Sequence, residues 1–504
     1  MTNLTAVHYK LGSADQISAL EVLFSSIYTA TFFACESREL RFLDDYDWHL
    51  WHSGALLYKT SAHSYNLALP DISIEEVIKG KAPRFYWEFP DGEMQSELQK
   101  NIKLRALTPI ASLKIAEQQL SLLNRDHKTV LRAKLTLLYT PDSDTPSHGV
   151  ISLQPMRGYD KAFQRASLLL QNAEYALTET SSLISLLKAQ GVKPKPVVSG
   201  QFGISPTMPS EQAVREMSHT MFTRARTHEQ GVLEDIDTEF LHQYRVSLRK
   251  ARSLINLMKK CLPAESHRLL KTQLAQLASP TNNLRDLDVF LLNENYYRSL
   301  LPENFHTGLN NLFTHIAKER QSALRSVVRF FRTGEYERIC ASVHTELSSQ
   351  AVEETPAASQ MILSIAKKRI LKTYHKVRLL GGAITESTPD PEVHQLRIEC
   401  KKLRYLMEFF TELFPVKTIG KLTKTLKILQ TILGDFNDYS VQKAFLAEDL
   451  THEKNTDAIA AINGLIAVLH QKQLQERAKV CAAFVEFNHN SIATQFEELF
   501  ALGE

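Results

Sequence analysis

The sequence predicts an α+β domain followed by an all-α domain made of two similar halves, and three observations carry that reading. Before about residue 190, Leu131 to Leu137 alternates apolar and polar side chains, and the aromatic run 84–89 is strand-like, while 13–26 and 162–187 read as helices. From residue 210 onward the pattern is helical, punctuated by Leu262-Pro263, Ser279-Pro280, Leu301-Pro302, Gly381-Gly382 and Phe414-Pro415. Third, a basic segment beginning at His242 returns 152 residues later at His394. A stretch rich in Pro and Gly over 191–209 reads as a linker, and one rich in Glu, Ala and Pro over 351–358 as a hinge. The expected organisation is therefore 1–190, a linker over 191–209, a first helical bundle over 210–350 and a second over 351–504.

The repeated segments are His242-x2-Arg245-x3-Arg249-Lys250-x-Arg252 and His394-x2-Arg397-x3-Lys401-Lys402-x-Arg404. At about 100° per residue, His242, Arg245, Arg249 and Arg252 fall within an arc of roughly 80° on a helix. Tyr244, Leu248, Ala251, Ile255 and Met258 take the opposite face, answered in the second copy by Leu396, Cys400, Leu403, Met407 and Phe410. That face is expected in the core. A basic face alone is most often a solvated surface, but such surfaces usually mix signs. From His242 to Lys260 there are six Lys or Arg and no Asp or Glu. Gathering like charges costs free energy that an anion would relieve, so a polyanion ligand is the economical explanation.

These motifs resemble the CHAD domain, a helical module built from two similar bundles, and the resemblance covers residues from about 210 to 504. A second match supports it: Asn283-Leu284-Arg285-Asp286-Leu287-Asp288 in the first half and Leu433-Gly434-Asp435-Phe436-Asn437-Asp438 in the second. Asp286 and Asp438 each lie 44 residues beyond their histidine, so the repeat keeps register. The resemblance implies binding of inorganic polyphosphate by the basic surface between the bundles, and an association with polyphosphate granules.

Net charge is only +3, so the basic character is local and the chain as a whole favours no particular partner. Cys35, Cys261, Cys340, Cys400 and Cys481 are scattered and form no C-x-x-C pair. This pattern argues for reduced thiols in a cytoplasmic protein, against a zinc site or a disulfide framework. Neither a secretory leader nor an apolar run long enough for a membrane span is present, so no membrane partner is expected.

Residues 1–190 resemble, through looser patterns, the CYTH domain, whose closed antiparallel barrel binds triphosphate. The matching stretches are the one from Asp45 to Gly54, Leu107-Thr108-Pro109-Ile110 and Arg157-Gly158-Tyr159. Enzymes of that family carry E-x-E-x-K near the N-terminus, where the carboxylates hold a divalent metal. Ala6, His8 and Lys10 stand at those positions here, and Arg132 and Lys134 place bases on a predicted strand. Without oxygen ligands a hard cation has nothing to hold it, so the sequence argues against an enzyme of the known route and implies no metal or cofactor.

Polyphosphate presents a line of anionic oxygens, and a helix face offers one donor per turn, about 5.4 Å apart. Arg245, Arg249, Arg252, Arg397 and Arg404 can present forked donors, with Lys250, Lys401 and Lys402 as compact charges. His242 and His394 either join the phosphate contacts or lock their helices through a neighbouring acid. Asp286 and Asp438 read as orienters of basic side chains or as helix caps. Arg224 and Arg226 recur as Lys376 and Arg378 at the same spacing and extend the candidate site. Two alternatives stand beside polyphosphate binding: a triphosphate or polyphosphate hydrolase in the first domain, and nucleic-acid binding by the same basic faces. Binders of single strands usually interleave exposed aromatics for stacking, and only Tyr405 lies beside the basic arc.

Overall fold

The computed structural model describes residues 6–12, 14–70, 72–139, 145–178, 182–197, 200–349, 355–451 and 453–501. Two compact units divide the chain, Met1–Val198 and Ser199–Glu504. No helix among the described residues is long and apolar enough to cross a membrane.

The first unit is built on nine strands: β1 (Val7–Leu11), β2 (Thr29–Asp44), β3 (Leu56–Lys59), β4 (Ser64–Ala68), β5 (Ser73–Val77), β6 (Thr108–Leu123), β7 (Thr129–Tyr139), β8 (Pro146–Gln154) and β9 (Ala176–Thr178). They pair antiparallel in the order β5-β4-β3-β2-β6-β7-β8-β1-β9. No ladder joins the described residues of β5 and β9 at the two ends of that order. Helices α1 (Ala14–Ser25), α2 (His49–His52), α3 (Glu93–Ile102), α4 (Asp160–Asn172) and α5 (Ser182–Ala189) cover the sheet. The alternation in β7 does what it predicts: Leu131, Ala133, Leu135 and Leu137 pack with Phe24 of α1 and Phe163 of α4. On the other face Leu138 packs with Leu186 and Leu187 of α5.

Two expectations need correction. Residues 84–89 form a short 3-10 turn at Tyr86–Glu88, not a strand. The Glu88 carboxylate accepts the backbone N–H groups of Arg84 and Phe85 at 2.6 and 3.2 Å, a local closure that competes with a ladder. Within 162–187, expected to be helices, the chain forms α4 and α5 but also the unexpected strand β9, after Glu174 takes a left-handed φ of 62°. Ser13, at the start of the first expected helix, lies outside the described residues.

The second unit is all helical: α6 (Ser210–Thr227), α7 (Glu229–Leu233), α8 (Thr238–Leu257), α9 (Ala264–Ala278), α10 (Asn282–Leu292), α11 (Glu294–Leu300), α12 (His306–Phe331) and α13 (Gly334–Ser348) make the first half. The second half comprises α14 (Ile362–Gly382), α15 (Asp390–Phe409), α16 (Val416–Leu450), α17 (Thr456–Phe487) and α18 (Asn490–Phe500). α8 and α15 begin and end 152 residues apart, and α9 and α16 begin at the same spacing. The pairs α6 and α14, α8 and α15, and α12 and α17 are in contact, so the halves share a core.

Described residues of the expected linker make contacts within their own units. In the first unit Val192 packs beside the Leu186 cluster and Lys195 Nζ lies 3.1 Å from the centre of the Tyr46 ring. In the second, Phe202 and Gly203 donate their N–H groups to the Glu412 carboxylate at 3.0 and 3.1 Å, and Ile362 N donates to Met208 O at 2.9 Å. Of the expected hinge, 351–354 lie outside the described residues; Ala358 O accepts from Glu211 N at 3.1 Å, at the start of α6.

Candidate functional site

The apolar stripe of each repeated helix aims its basic arc. Tyr244, Leu248, Ala251, Ile255 and Met258 are at most 1% exposed, and their five counterparts in the second copy are fully buried. Each large side chain so buried is worth about 1.5–3 kcal/mol, which fixes the rotation of both helices about their axes. Asp237 caps α8, its Oδ1 accepting from Glu239 N at 3.0 Å and Phe240 N at 3.1 Å.

With those faces inward, α8, α14 and α15 enclose a cleft of about 490 Å³. Arg249 and Arg252 line it from α8, Arg397, Lys401 and Lys402 from α15, and Arg369 from α14. Lys401 is held down to about 8, first by burial and then by Arg249, Arg397 and Arg404, against a smaller opposing pull from Asp438. Among the described residues, the side chains of Arg249, Arg252 and Lys401 make no hydrogen bond or ion pair.

The flanking cations are partly neutralised. Glu408 lies 3.5 Å from both Lys250 Nζ and Arg404 Nε. Asp438 lies 3.6 Å from Arg397. Buried Glu399 accepts from Lys402 at 2.8 Å and Lys376 at 2.9 Å; burial would raise its carboxyl, and the two lysines overcome that and hold it low.

A second, more enclosed pocket of about 110 Å³ opens beside the cleft, lined by Arg245, Arg249 and Arg252 with Leu248, Leu274, Ala278, Ser279 and Asn282. Arg245 is anchored there through Nη1, which donates to Ala278 O at 3.2 Å, Thr281 Oγ1 at 2.6 Å and Asn282 Oδ1 at 2.7 Å.

Other expected site residues lie elsewhere. His242 is pulled below its ordinary range, first by burial and then by Arg285, and does not line the cleft. His394 bonds Asn437 Oδ1 through Nδ1 at 2.8 Å. None of Arg224, Arg226, Lys376 and Arg378 lines the cleft. Arg226 turns to Glu229 at 2.8 Å and Glu337 at 3.1 Å, and Arg378 Nε donates to Asn488 Oδ1 at 2.7 Å. Arg226, Lys376 and Arg378 are thus engaged by partners outside the cleft.

Of the two acids, Asp438 faces Arg397, whereas exposed Asp286 makes no hydrogen bond or ion pair among the described residues. The buried acid of that segment is Asp288, which accepts from Arg320 Nε at 2.9 Å while Asp235 takes both Nη groups at 2.6 Å. Sequence reasoning missed Arg369, whose repeat mate is Met217, and Arg320, which no local pattern connects to Asp288.

In the first unit His8 Nδ1 sits 2.7 Å from Ser152 Oγ, and burial lowers its pKa. Lys134 pairs with Glu117 at 2.5 Å, and Arg38 also pairs with Glu117. Asp45, Asp47 and His49 bring atoms able to hold a metal within 4.8 Å of one another. Their polar atoms already shape the turn: Asp45 Oδ1 accepts from Asp47 N at 2.9 Å, Asp45 Oδ2 meets His49 Nδ1 at 2.6 Å, and Asp47 pairs with Arg105 at 2.6 Å. Neighbouring Asp44 is pushed up to about 6, chiefly by burial, while accepting three backbone N–H groups.

Comparison with known proteins identifies the family of the helical part. Two uncharacterized proteins of Mycobacterium tuberculosis, from strains CDC 1551 / Oshkosh and ATCC 25618 / H37Rv, are each 24% identical over 213 residues, 41% of this chain and 40% of theirs. The chain thus spans about two fifths of the length of the curated relatives it matches. Among solved structures, the CHAD domain from the plant Ricinus communis is 21% identical, with 57% of this chain and 96% of that one covered and a TM-score of 0.49. PptA from Streptomyces chartreusis is 17% identical, with 56% and 98% covered and a TM-score of 0.42. The family model described as the CHAD domain matches residues 217–447, which include both basic helices and the cleft between them, and this part of the chain is a CHAD domain.

Proposed function

We propose that the cleft between α8 and α15 binds inorganic polyphosphate, in line with the general link between CHAD domains and that polymer. One observation carries the reading: Lys401, Arg249 and Arg252 line one cleft with no counter-charge bonded to them, and burial, with neighbouring guanidinium groups adding to it, holds Lys401 down to about 8. An arrangement that strained in the free protein is relieved by an anion with many closely spaced charges. Forked arginine donors suit phosphate oxygens, and six cationic side chains line the cleft. The domain acts as a binding module without chemistry of its own, in the cytoplasm and on polyphosphate granules. Nucleic acid fits less well, because Tyr405 is the aromatic of the lining and is only 7% exposed, too little for base stacking. Hydrolysis in the first unit would need acids where Ala6 and His8 stand.

The test is a titration with defined-length polyphosphate and with RNA at two salt concentrations, with phosphate release assayed in magnesium and in manganese. Tight binding of polyphosphate without release is expected, weakening by about 10²–10³-fold between 50 and 200 mM salt if the six cations act as in nucleic-acid binding. The Arg249→Glu/Lys401→Glu double variant should lose at least about a hundredfold in affinity with its helical circular dichroism intact. Undiminished binding in that variant would sink the cleft as the site; metal-dependent release would locate a hydrolase in the first unit.

A further inference from the structure

The two halves of the CHAD domain differ at one place that matters to a linear ligand. In the first half the chain breaks between α9 and α10 at Ser279-Pro280-Thr281, while in the second half the equivalent stretch runs unbroken inside α16. Small Ala278 stands where the repeat has Gln430. The Gln430 side chain crosses to α15 and donates through Nε2 to Cys400 O, at the position matching Leu248. Leu248 lines the pocket of about 110 Å³. The first half thus keeps open a pocket whose place the second half fills with a glutamine.

That pocket is the size of one group and not of a chain. At the roughly 10–15 Å³ that one water requires, its volume corresponds to several waters, enough for one tetrahedral phosphoryl group. Arg249 and Arg252 line both the pocket and the cleft, so a ligand lying in the cleft can place one end in the pocket. Arg245 closes it, fixed through Nη1 by three acceptors, while its Nε and Nη2 make no hydrogen bond among the described residues. An internal phosphate of the polymer carries one charge and two free oxygens. A terminal one has three oxygens and a charge approaching −2, which three guanidinium groups match better.

We infer that the pocket formed by Arg245, Arg249 and Arg252 receives the terminal phosphoryl group of polyphosphate, so that the domain recognises a chain end as well as the chain. This rests on the polyphosphate reading of the adjoining cleft. It predicts that occupancy scales with chain ends rather than with total phosphate, and that ends blocked as phosphoramidates bind less well.

The experiment titrates the full chain with polyphosphate of one defined length, unmodified and with both ends amine-capped. Capping should weaken binding to the wild type by about tenfold or more, the worth of one charge-assisted hydrogen bond. Ala278→Gln, which copies the plug of the second half, should bring the affinities for unmodified and capped polyphosphate to within about twofold of each other. Equal, tight binding of both forms to the wild type overturns the end pocket and leaves the cleft reading standing. Failure of both forms to bind overturns the two together. Should Ala278→Gln not fold, the capped and unmodified comparison on the wild type still decides.

Discussion

Lys250 on α8 meets Glu408 on α15 at 3.5 Å, an ion pair that links the two repeated helices at the edge of the cleft. Glu408 also lies 3.5 Å from Arg404 Nε, so one carboxylate supplies counter-charge to both halves of the repeat. An anionic ligand competes with that carboxylate for the same cations.

Replacing Glu408 with Gln is therefore expected to tighten polyphosphate binding several-fold and steepen its salt dependence. The Lys250 and Glu408 side chains are 38% and 33% exposed, so the pair contributes no more than about 1 kcal/mol to stability. Calorimetric titration and chemical denaturation of the variant check both statements; weaker binding would show that Glu408 organises the site instead of competing for it.

Lys401 makes binding pH-dependent. Its ordinary value of 10.5 applies to the unfolded chain, and the folded value is about 8. Between these the unfolded chain holds the extra proton, so stability rises with pH across that window. Bound phosphate favours the ammonium form, so binding above pH 8 takes up a proton and affinity falls as pH rises through that value. Lys401→Met should flatten both profiles; titrations in buffers of different ionisation enthalpy measure the proton uptake.

Asp288 and Asp286 separate architecture from binding. Asp288 is 1% exposed and bonded to Arg320 Nε, so Asp288→Ala removes that acceptor while Asp235 keeps both Nη groups, and it should cost about 1–3 kcal/mol. Exposed Asp286 carries no such partner among the described residues, and Asp286→Ala should change stability by less than about 1 kcal/mol. Urea unfolding of the two variants side by side gives the comparison.

Gly308 lets α12 approach α17. A Cβ at this position would lie 2.1 Å from Asp457 O and 2.6 Å from its carbonyl carbon, and backbone cannot step aside as a side chain can. Gly308→Ala should destabilise by about 1–3 kcal/mol or more. The cleft is built by other helices, so polyphosphate affinity measured well below the melting temperature should stay within about twofold of wild type. A parallel loss of affinity would mean that the α12–α17 contact supports the cleft.

Much of the helical unit was legible because its information is local and duplicated. The 3.6-residue spacing of Leu248, Ala251 and Ile255, and of Cys400, Leu403 and Met407, determines which face of each helix is buried, and the 152-residue register carries from the motifs to the ends of α8 and α15. The first part of β7 was legible for the same reason, through its two-residue period, while Thr136 and Leu138 show that the second face of its end is buried as well. Residues 84–89 were misread because aromatic content suggests a strand while the Glu88 carboxylate closes a turn.

The sequence by itself determined that two helices carry basic arcs and that their opposite faces form the core. Only the tertiary structure decided which of those cations stay unneutralised. Arg249, Arg252 and Lys401 remain so, Arg226 and Lys376 are claimed by Glu229 and Glu399, Arg369 arrives from α14, and the break at Pro280 opens a pocket that Gln430 fills in the other half. Periodicity determines the direction of a side chain about its own helix axis, whereas charge balance depends on residues far apart in the chain that meet only when the helices dock.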